Sequence, residues 1–175
     1  MLHTSKKKIF GLGLLVVLVV GLLIPQDFDN PVAKADKGSY NLKSFWFYPW
    51  GESGTHKGVD IFAKEGTPVN SATGGLVLFK GQIGRGGNVV LIAGPKWRLH
   101  YYAHLRDINT GFFCWTSKGE KIGSVGTTGN ASGKSPHLHY SIMTLIPYPW
   151  RIDGENQGWK KMFYLNPIAY LEPRK

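Results

Sequence analysis

Short apolar or alternating runs, separated by glycine-containing turns, follow one another along most of this chain. Seven of them have the length and alternation of β-strands: residues 59–62, 67–70, 75–80, 88–93, 98–104, 121–125 and 138–143. Alternating βαβ units would need helical stretches of about ten or more residues between the strands, and none is present. The pattern therefore predicts an all-β fold built from antiparallel hairpins, as a sandwich or barrel.

The chain is irregular on both sides of this strand region. Residues 26–40 show no apolar periodicity and include Pro31 and Gly38, which indicates a linker, so we predict that the folded domain covers residues 41–175. From Ile146 onward several prolines and tryptophans interrupt any regular pattern. This last segment is predicted to wrap irregularly over the sheet.

The first 25 residues are typical of an export segment. Lys6, Lys7 and Lys8 precede an uncharged apolar run over residues 9–24, which ends at Pro25. Such a run spans about 24 Å as a helix, slightly less than the roughly 30 Å of a hydrocarbon core. We predict an N-terminal hydrophobic helix acting as a signal peptide or, preferably, an uncleaved signal anchor. Either role places the rest of the chain in the periplasm or on the outer face of the cytoplasmic membrane.

Composition and charge further limit the class of protein to which the chain can belong. The 175 residues suit one domain, and 42% hydrophobic with 18% charged residues excludes a disordered polyelectrolyte. Residues 1–30 contribute three lysines and two aspartates to a formal charge of +10, which leaves +9 for residues 31–175. Outside the cytoplasm this charge could bind anionic envelope polymers or lipid headgroups, or serve solubility alone. No nucleic-acid-binding motif is present.

Cysteine and aromatic residues give weaker signals. The single cysteine, Cys114, excludes disulfides within the chain and cysteine-rich zinc sites, and its aromatic surroundings predict a buried, inert thiol. The aromatic residues of segment 46–50 are predicted to pack in the core, with the wall of a cleft as the alternative.

Apart from His3, the histidines lie in three motifs: HKGVD with His56, HYYAH with His100 and His104, and HLH with His137 and His139. The first and the last of these motifs suggest a metal site. In the HLH motif, His137 and His139 are two residues apart in a predicted strand and project from one face about 6.6 Å apart. In HKGVD, the chain must curl at Gly58 for His56 and Asp60 to meet at one ion. Two histidines and a carboxylate would hold zinc with one open position, the arrangement of a catalytic site.

The order and spacing of these motifs resemble the lysostaphin-type (LytM-like) zinc metallopeptidases of bacterial cell walls. The resemblance covers about residues 52–143 and is carried by HKGVDIF, EGTPVNSATGGLV, GRGGNVVLI, YYAHL and GSVGTTGNASGKSPHLHY, with a weaker echo in NPIAYL. It implies a compact antiparallel β sandwich or barrel-like hairpin assembly with a cleft along one sheet. It also implies a zinc-dependent endopeptidase that hydrolyses peptidoglycan stem peptides or cross-bridges.

Carried over position by position, the resemblance makes His56, Asp60 and His139 the ligands of one Zn²⁺ ion. It makes His104 and His137 the catalytic histidines, one acting on the water and the other on the oxyanion or leaving amine, without assigning which. His100 matches no family position and is interpreted as a strand or surface residue. Tyr102, two residues before His104, is predicted to line the cleft.

Two other functions stay open at this point. A non-catalytic relative could regulate another wall hydrolase, although such relatives typically lack ligands that this sequence retains. The same site could also act on exported proteins or peptides. The sequence leaves the oligomeric state undetermined.

Overall fold

The computed structural model describes residues 2–171 as a β-rich domain preceded by a helix. Residue 1 and residues 172–175, the ends of the predicted leader and of the predicted domain, lie outside the described residues. The strands are β1 (Val59–Phe62), β2 (Pro68–Asn70), β3 (Gly75–Ile83), β4 (Gly87–Gly94), β5 (Arg98–Ile108), β6 (Trp115–Thr116), β7 (Lys121–Val125), β8 (His137–Thr144) and β9 (Tyr164–Leu165). The helices are α1 (Leu2–Leu23) and α2 (Ile168–Leu171).

All nine strands belong to one antiparallel sheet, which confirms the all-β prediction. The main path runs β1-β8-β5-β4-β3-β6, while β2 and β9 pair with β7 and β8 respectively. Strand β5 is the longest, and its second half also pairs with β7, so the sheet branches there. The seven predicted strands are present, and the two missed ones, β6 and β9, have only two residues each. Runs that short carry no periodicity.

The core lies on one side of this sheet and follows the alternation of its strands. In β1, Val59 and Ile61 are fully buried, while Asp60 between them remains partly accessible. Tyr102 of β5 and Tyr140 of β8 pack against each other in the same core, with ring centroids 5.1 Å apart. Burying alternate residues leaves the intervening side chains of β1 and β8 on the other face, where the candidate site lies.

The segment before the first strand packs on the sheet. Val32 is 1% exposed and forms an isolated antiparallel bridge with Val69. Phe28, Ala35 and Tyr40 also contact the core. Residues 28–40 are therefore held by both backbone pairing and apolar contacts.

The N-terminal helix does not support the predicted membrane anchor over residues 9–24. Within residues 2–171, the structure contains no helix that is both long and apolar enough to cross a membrane. Lys6, Lys7 and Lys8 lie inside α1, so its uncharged part is shorter than the helix itself. The C-terminal end of α1 rests on the domain, where the Trp97 indole Nε1 donates to the Leu18 carbonyl at 2.9 Å.

One packing prediction is wrong, and a second is confirmed for one residue only. Cys114 is exposed because it lies in the connection to β6, an edge strand, where Phe112, Phe113 and Trp115 are exposed as well. In segment 46–50 only Trp46 is buried, at 6% exposure, because that part of the chain turns away from the core toward the cleft.

Candidate metal centre and active-site cleft

Three predicted ligands converge where β1 and β8 pair. His56 lies in the loop before β1, Asp60 lies within β1, and His139 is the direct cross-strand partner of Asp60. Asp60 Oδ1 is 3.0 Å from His56 Nε2 and 2.8 Å from His139 Nδ1, and the two nitrogens are 3.1 Å apart. The structure thus brings one oxygen and two nitrogens into a nearly equilateral triangle.

Gly58 makes this triangle possible by allowing a close approach between chain segments. A Cβ atom there would lie 2.5 Å from both the Tyr140 carbonyl oxygen and Ser141 Oγ, and 2.9 Å from His139 Cε1. Contacts that short do not occur without displacement of the neighbouring backbone. Gly58 is the residue predicted to let the chain curl between His56 and Asp60. In the structure, the absence of a side chain at Gly58 also lets β8 pack against this loop.

Hydrogen bonds to the outer ring nitrogens fix which atoms face the centre of the triangle. His56 Nδ1 lies 3.0 Å from the Ser44 carbonyl oxygen, so it carries the proton and donates. Ser141 Oγ donates to the Lys57 carbonyl at 2.8 Å and therefore accepts from His139 Nε2 at 3.0 Å. His56 Nε2 and His139 Nδ1 consequently present lone pairs, beside the lone pairs of the Asp60 carboxylate.

This donor set fits a zinc ion. Three lone-pair atoms about 3 Å apart, with no hydrogen atom among them, repel one another unless a cation lies between them. The ligands of a tetrahedral ion with bonds of 2.0–2.1 Å lie about 3.3 Å apart, close to the observed separations. His56, Asp60 and His139 could hold one zinc ion and leave its fourth position toward the cleft.

The two predicted catalytic histidines lie beside this triangle. The His104 and His137 rings are 5.0 Å apart between centroids, and His104 is 6.0 Å from His139. His104 Nδ1 donates to the Thr128 carbonyl at 2.9 Å, and His137 Nδ1 donates to the Ser135 carbonyl at 2.8 Å. Each ring therefore leaves its Nε2 without a hydrogen bond to the described residues.

Burial favours the uncharged form of two imidazoles at this site, those of His104 and His139. It lowers the pKa of His104 to about 4, with the neighbouring His139 and His137 acting in the same direction. Burial also lowers the pKa of His139, although Asp60 opposes that shift. Neutral imidazoles at neutral pH can ligate a metal or accept a proton, as both assigned roles require.

A bulge in β5 aims His104 at the cleft. Opposite β4, the register shifts between the Leu105–Asn88 and Tyr102–Val90 pairs, and His104 has a φ of 64°, a left-handed conformation rare for non-glycine residues. The bulge breaks the alternation of the strand. Tyr101 therefore faces the site, with its ring 6.4 Å from His139, and the prediction that Tyr102 lines the cleft is wrong.

Tyr102 and His100 instead lie on the core side of β5. The Tyr102 hydroxyl accepts from the Ala72 N–H at 2.9 Å. His100 is 0% exposed, accepts at Nε2 from the Gln26 amide at 3.0 Å, and donates from Nδ1 to the Tyr140 hydroxyl at 2.7 Å. His100 is a strand residue, as expected, but it lies in the core and not at the surface.

The cleft of about 750 Å³ in front of the triangle has two walls. One is the turn Gly51–Ser53 together with Trp50, whose ring packs against His56 at a tilt of 31°, with 4.2 Å between centroids. The other is formed by the turns Gly84–Gly86 and Gly129–Ala131 with the loop that leads into β8. Asp60 and His139 of the triangle line the cleft between these walls, together with the two predicted catalytic histidines.

Several residues at the site were not found from the sequence. Ser44 and Ser141 orient the ligand rings, Tyr101 faces His139, and Arg85 and Glu52 lie at the cleft walls. Of these residues, only Ser141 could have been predicted from the sequence. It lies two positions after His139 in the same strand, and this spacing places both side chains on one face of the sheet. The others reach the site through loops or through the bulge.

A mostly antiparallel β domain whose His-Asp-His triangle opens on a cleft beside two further histidines defines a zinc-dependent metallopeptidase domain. The family model "Peptidase family M23" matches residues 54–155, more than half of the chain. The chain belongs to this peptidase family. The earlier resemblance is thereby confirmed.

Curated relatives and solved structures agree with this assignment. The chain is 41% identical over 118 residues to the DD-carboxypeptidase/endopeptidase Mpg of Neisseria meningitidis serogroup B, covering 67% of this chain and 23% of that protein. It is 34% identical over 100 residues to the glycyl-glycine endopeptidase ALE-1 of Staphylococcus capitis, covering 55% of this chain and 27% of that protein. The chain thus spans about a quarter of the length of these relatives.

Among solved structures, the catalytic domain of lysostaphin from Staphylococcus simulans superposes with a TM-score of 0.60 at 26% identity, covering 76% of this chain and 92% of that one. A zinc-containing peptidase from Vibrio cholerae superposes with a TM-score of 0.53 at 26% identity, covering 66% and 36%. These neighbours share the fold, and the second contains the metal for which the triangle here is suited.

Proposed function

We propose that this chain is a zinc-dependent endopeptidase that hydrolyses peptide bonds in peptidoglycan, in the stem peptides or the cross-bridges. One observation carries the proposal: three lone-pair ligands converge on a cleft that also holds two imidazoles, His104 and His137, whose Nδ1 atoms are hydrogen bonded to backbone carbonyls and whose Nε2 atoms are free. We assign His56, Asp60 and His139 to the metal, and His104 and His137 to proton transfer. A relative named as a peptidoglycan DD-endopeptidase, ShyA of Vibrio cholerae, supports the choice of substrate.

A bound zinc ion would polarise the scissile carbonyl and lower the pKa of a water molecule toward about 7. His104 and His137 act on the protons of the reaction. As the water oxygen bonds to the carbonyl carbon, the Nε2 of one imidazole takes a proton from the water. That proton then passes to the leaving nitrogen as the carbon–nitrogen bond breaks.

The backbone contacts of these imidazoles prepare them for this step. The Thr128 and Ser135 carbonyls hold the Nδ1 protons and stabilise each ring when Nε2 is protonated. The Trp50 ring over His56 and the Ser44 and Ser141 contacts hold the ligands in place before substrate arrives. Such preorganisation avoids rearrangement during the reaction.

We further propose that the domain predicted over residues 41–175 works outside the cytoplasm, where peptidoglycan lies. The segment 26–40 remains attached to it through the contacts of Val32 and its neighbours. The basic balance of residues 31–175 supports binding to a substrate that carries carboxylates.

The test is digestion of purified sacculi by the full-length protein, with the zinc content of the same preparation measured by mass spectrometry. We expect about one zinc per chain and new peptide ends in the released muropeptides, whose masses identify the bond. The His139→Ala variant should lose both the bound zinc and the release of new peptide ends. The His100→Gln variant, which changes a histidine outside the cleft, should retain both properties.

Two results would contradict the proposal. Zinc-loaded protein that leaves sacculi intact would argue for a regulator of another hydrolase or for a protein substrate. A wild-type protein that binds no zinc would overturn the ligand assignment.

A further inference from the structure

A pair of opposite charges joins the two walls of the cleft at its mouth. Glu52, in the turn Gly51–Ser53, contacts the Arg85 guanidinium, in the turn Gly84–Gly86, through Oε2 and Nη2. Both residues line the cleft that contains His104 and His137.

A second cation lies on the Arg85 wall. Lys134 lines the same cleft from the loop before β8, and in the described part of the chain its ammonium has no ion-pair or hydrogen-bond partner. The turns that carry this wall are packed tightly, since a Cβ at Gly129 would lie 2.3 Å from the Arg85 carbonyl oxygen. The two cations therefore share one wall, with Glu52 opposite.

The Glu52–Arg85 contact is one that a substrate can replace. The side chains are 79% and 57% exposed respectively, and ion pairs in water are weak because solvent screens them and both side chains lose freedom. A guanidinium presents paired donors that match a carboxylate, whichever molecule supplies it. If a carboxylate of the substrate replaced that of Glu52, Arg85 would keep a carboxylate partner both before and after substrate binding.

We propose that Arg85, assisted by Lys134, binds a carboxylate of the peptide substrate and that Glu52 occupies this place in the free protein. The inference rests on the proposed peptidase function and specifies its substrate. Peptides with a carboxylate near the scissile bond would be preferred over neutral ones. This is the chemical difference between a carboxypeptidase, which cleaves beside a free terminal carboxylate, and a glycyl-glycine endopeptidase, whose target bond joins uncharged residues.

Binding is measured first, by calorimetry on the zinc-loaded full chain with three N-acetylated tetra-alanine peptides. One has a free C-terminal carboxylate, one a terminal amide, and one a terminal amide with a glutamate in place of one alanine. We expect one or both carboxylate peptides to bind about tenfold or more tightly than the neutral peptide. If only the peptide with a free C-terminus binds more tightly, the site recognises a terminal carboxylate. If only the glutamate peptide does, the site recognises a side-chain carboxylate.

Variants then separate Arg85 from the metal, which could itself attract carboxylates. Arg85→Gln should remove most of the preference and Lys134→Gln part of it, while Glu52→Gln should strengthen binding because the internal competitor is gone. Arg106→Gln is the matched control, since this exposed arginine pairs with Asp107 and does not line the cleft. All four variants should bind the same amount of zinc per chain as the wild-type protein.

Activity is measured on muropeptide dimers released from sacculi, either native or with their carboxylates converted to amides. We expect Arg85→Gln to raise KM on native dimers about tenfold or more, without changing it on amidated dimers. Equal binding of charged and neutral peptides, or equal losses by Arg85→Gln and Arg106→Gln, would overturn the proposal. Arg85-dependent binding without cleavage of any dimer would instead overturn the peptidase function and leave the carboxylate site standing.

Discussion

His100 and His104 lie four residues apart on the same strand, yet they occupy opposite sides of the sheet. His100 is enclosed in the core, with both ring nitrogens hydrogen bonded to Gln26 and Tyr140. His104 faces the cleft, with Nδ1 bonded to Thr128 and Nε2 left available. In both, burial lowers the pKa, to about 3 and about 4 respectively.

The difference shows that burial and a lowered pKa do not identify a functional histidine. The two residues differ in whether a nitrogen remains unsatisfied and faces an open cleft. The bulge that turns His104 toward the cleft, at a φ of 64°, is a local distortion of the kind found at functional sites. Four predictions test this difference between the two histidines.

The largest effect is expected from removing a metal ligand on the cleft side. His139→Ala should abolish zinc binding and lower kcat/KM by at least about a thousandfold, because several kcal/mol of transition-state stabilisation depend on the metal. Metal content and muropeptide release would be measured together. A variant that lost zinc but still cleaved would contradict the assignment.

The next effect concerns the two imidazoles outside the triangle. His104→Ala and His137→Ala should each retain zinc and lower kcat by about 10²–10⁴-fold, the range of general acid–base catalysis. His100→Gln should retain kcat, which tests the comparison directly. If His104→Ala and His100→Gln behaved alike, the distinction drawn from their free nitrogens would be wrong.

A smaller effect is expected where a neighbour positions a ligand. Ser141→Ala removes the acceptor that holds the Nε2 proton of His139, so zinc affinity should fall roughly 10–100-fold. Competition with a fluorescent chelator measures this change. Ser124→Ala, another buried serine that donates to Asp107 away from the cleft, should leave affinity unchanged.

The smallest effect is a pH dependence of folding that comes from the core histidine. The pKa of His100 is about 3 in the folded protein and about 6.5 in the unfolded chain, so the unfolded state binds the extra proton as the pH falls below 6.5. The free energy of unfolding should therefore decrease by up to about 1.4 kcal/mol per pH unit on acidification. Above pH 6.5 the residue contributes no slope, since both states are neutral.

Denaturant unfolding of chelator-treated protein at several pH values between 6.5 and 4.5 would show this slope. The chelator removes the contribution of zinc release. The curve for His100→Gln should lie lower at neutral pH, because packing is lost, and should be flatter on acidification. Parallel curves for the two proteins would contradict the folded-state pKa of His100.

Much of the site follows from sequence reasoning because it depends on short-range geometry. A two-residue spacing places His137 and His139 on a strand, and a glycine between His56 and Asp60 lets the chain curl. The same reasoning failed for Tyr102, because strict alternation does not survive a bulge. It also failed for Cys114, because a local apolar run does not reveal that it belongs to an edge of the sheet.

The strand pattern, the chemistry of the donors and the order of the motifs could be predicted without the structure, since each depends on residues close together in the chain. Which donors meet, which tautomers they adopt and which side chains face the cleft depend on the folded arrangement. The Asp60–His139 pairing joins residues 79 positions apart, and the Glu52–Arg85 contact joins residues 33 apart. Such contacts depend on sheet register and loop packing, which the whole chain sets together.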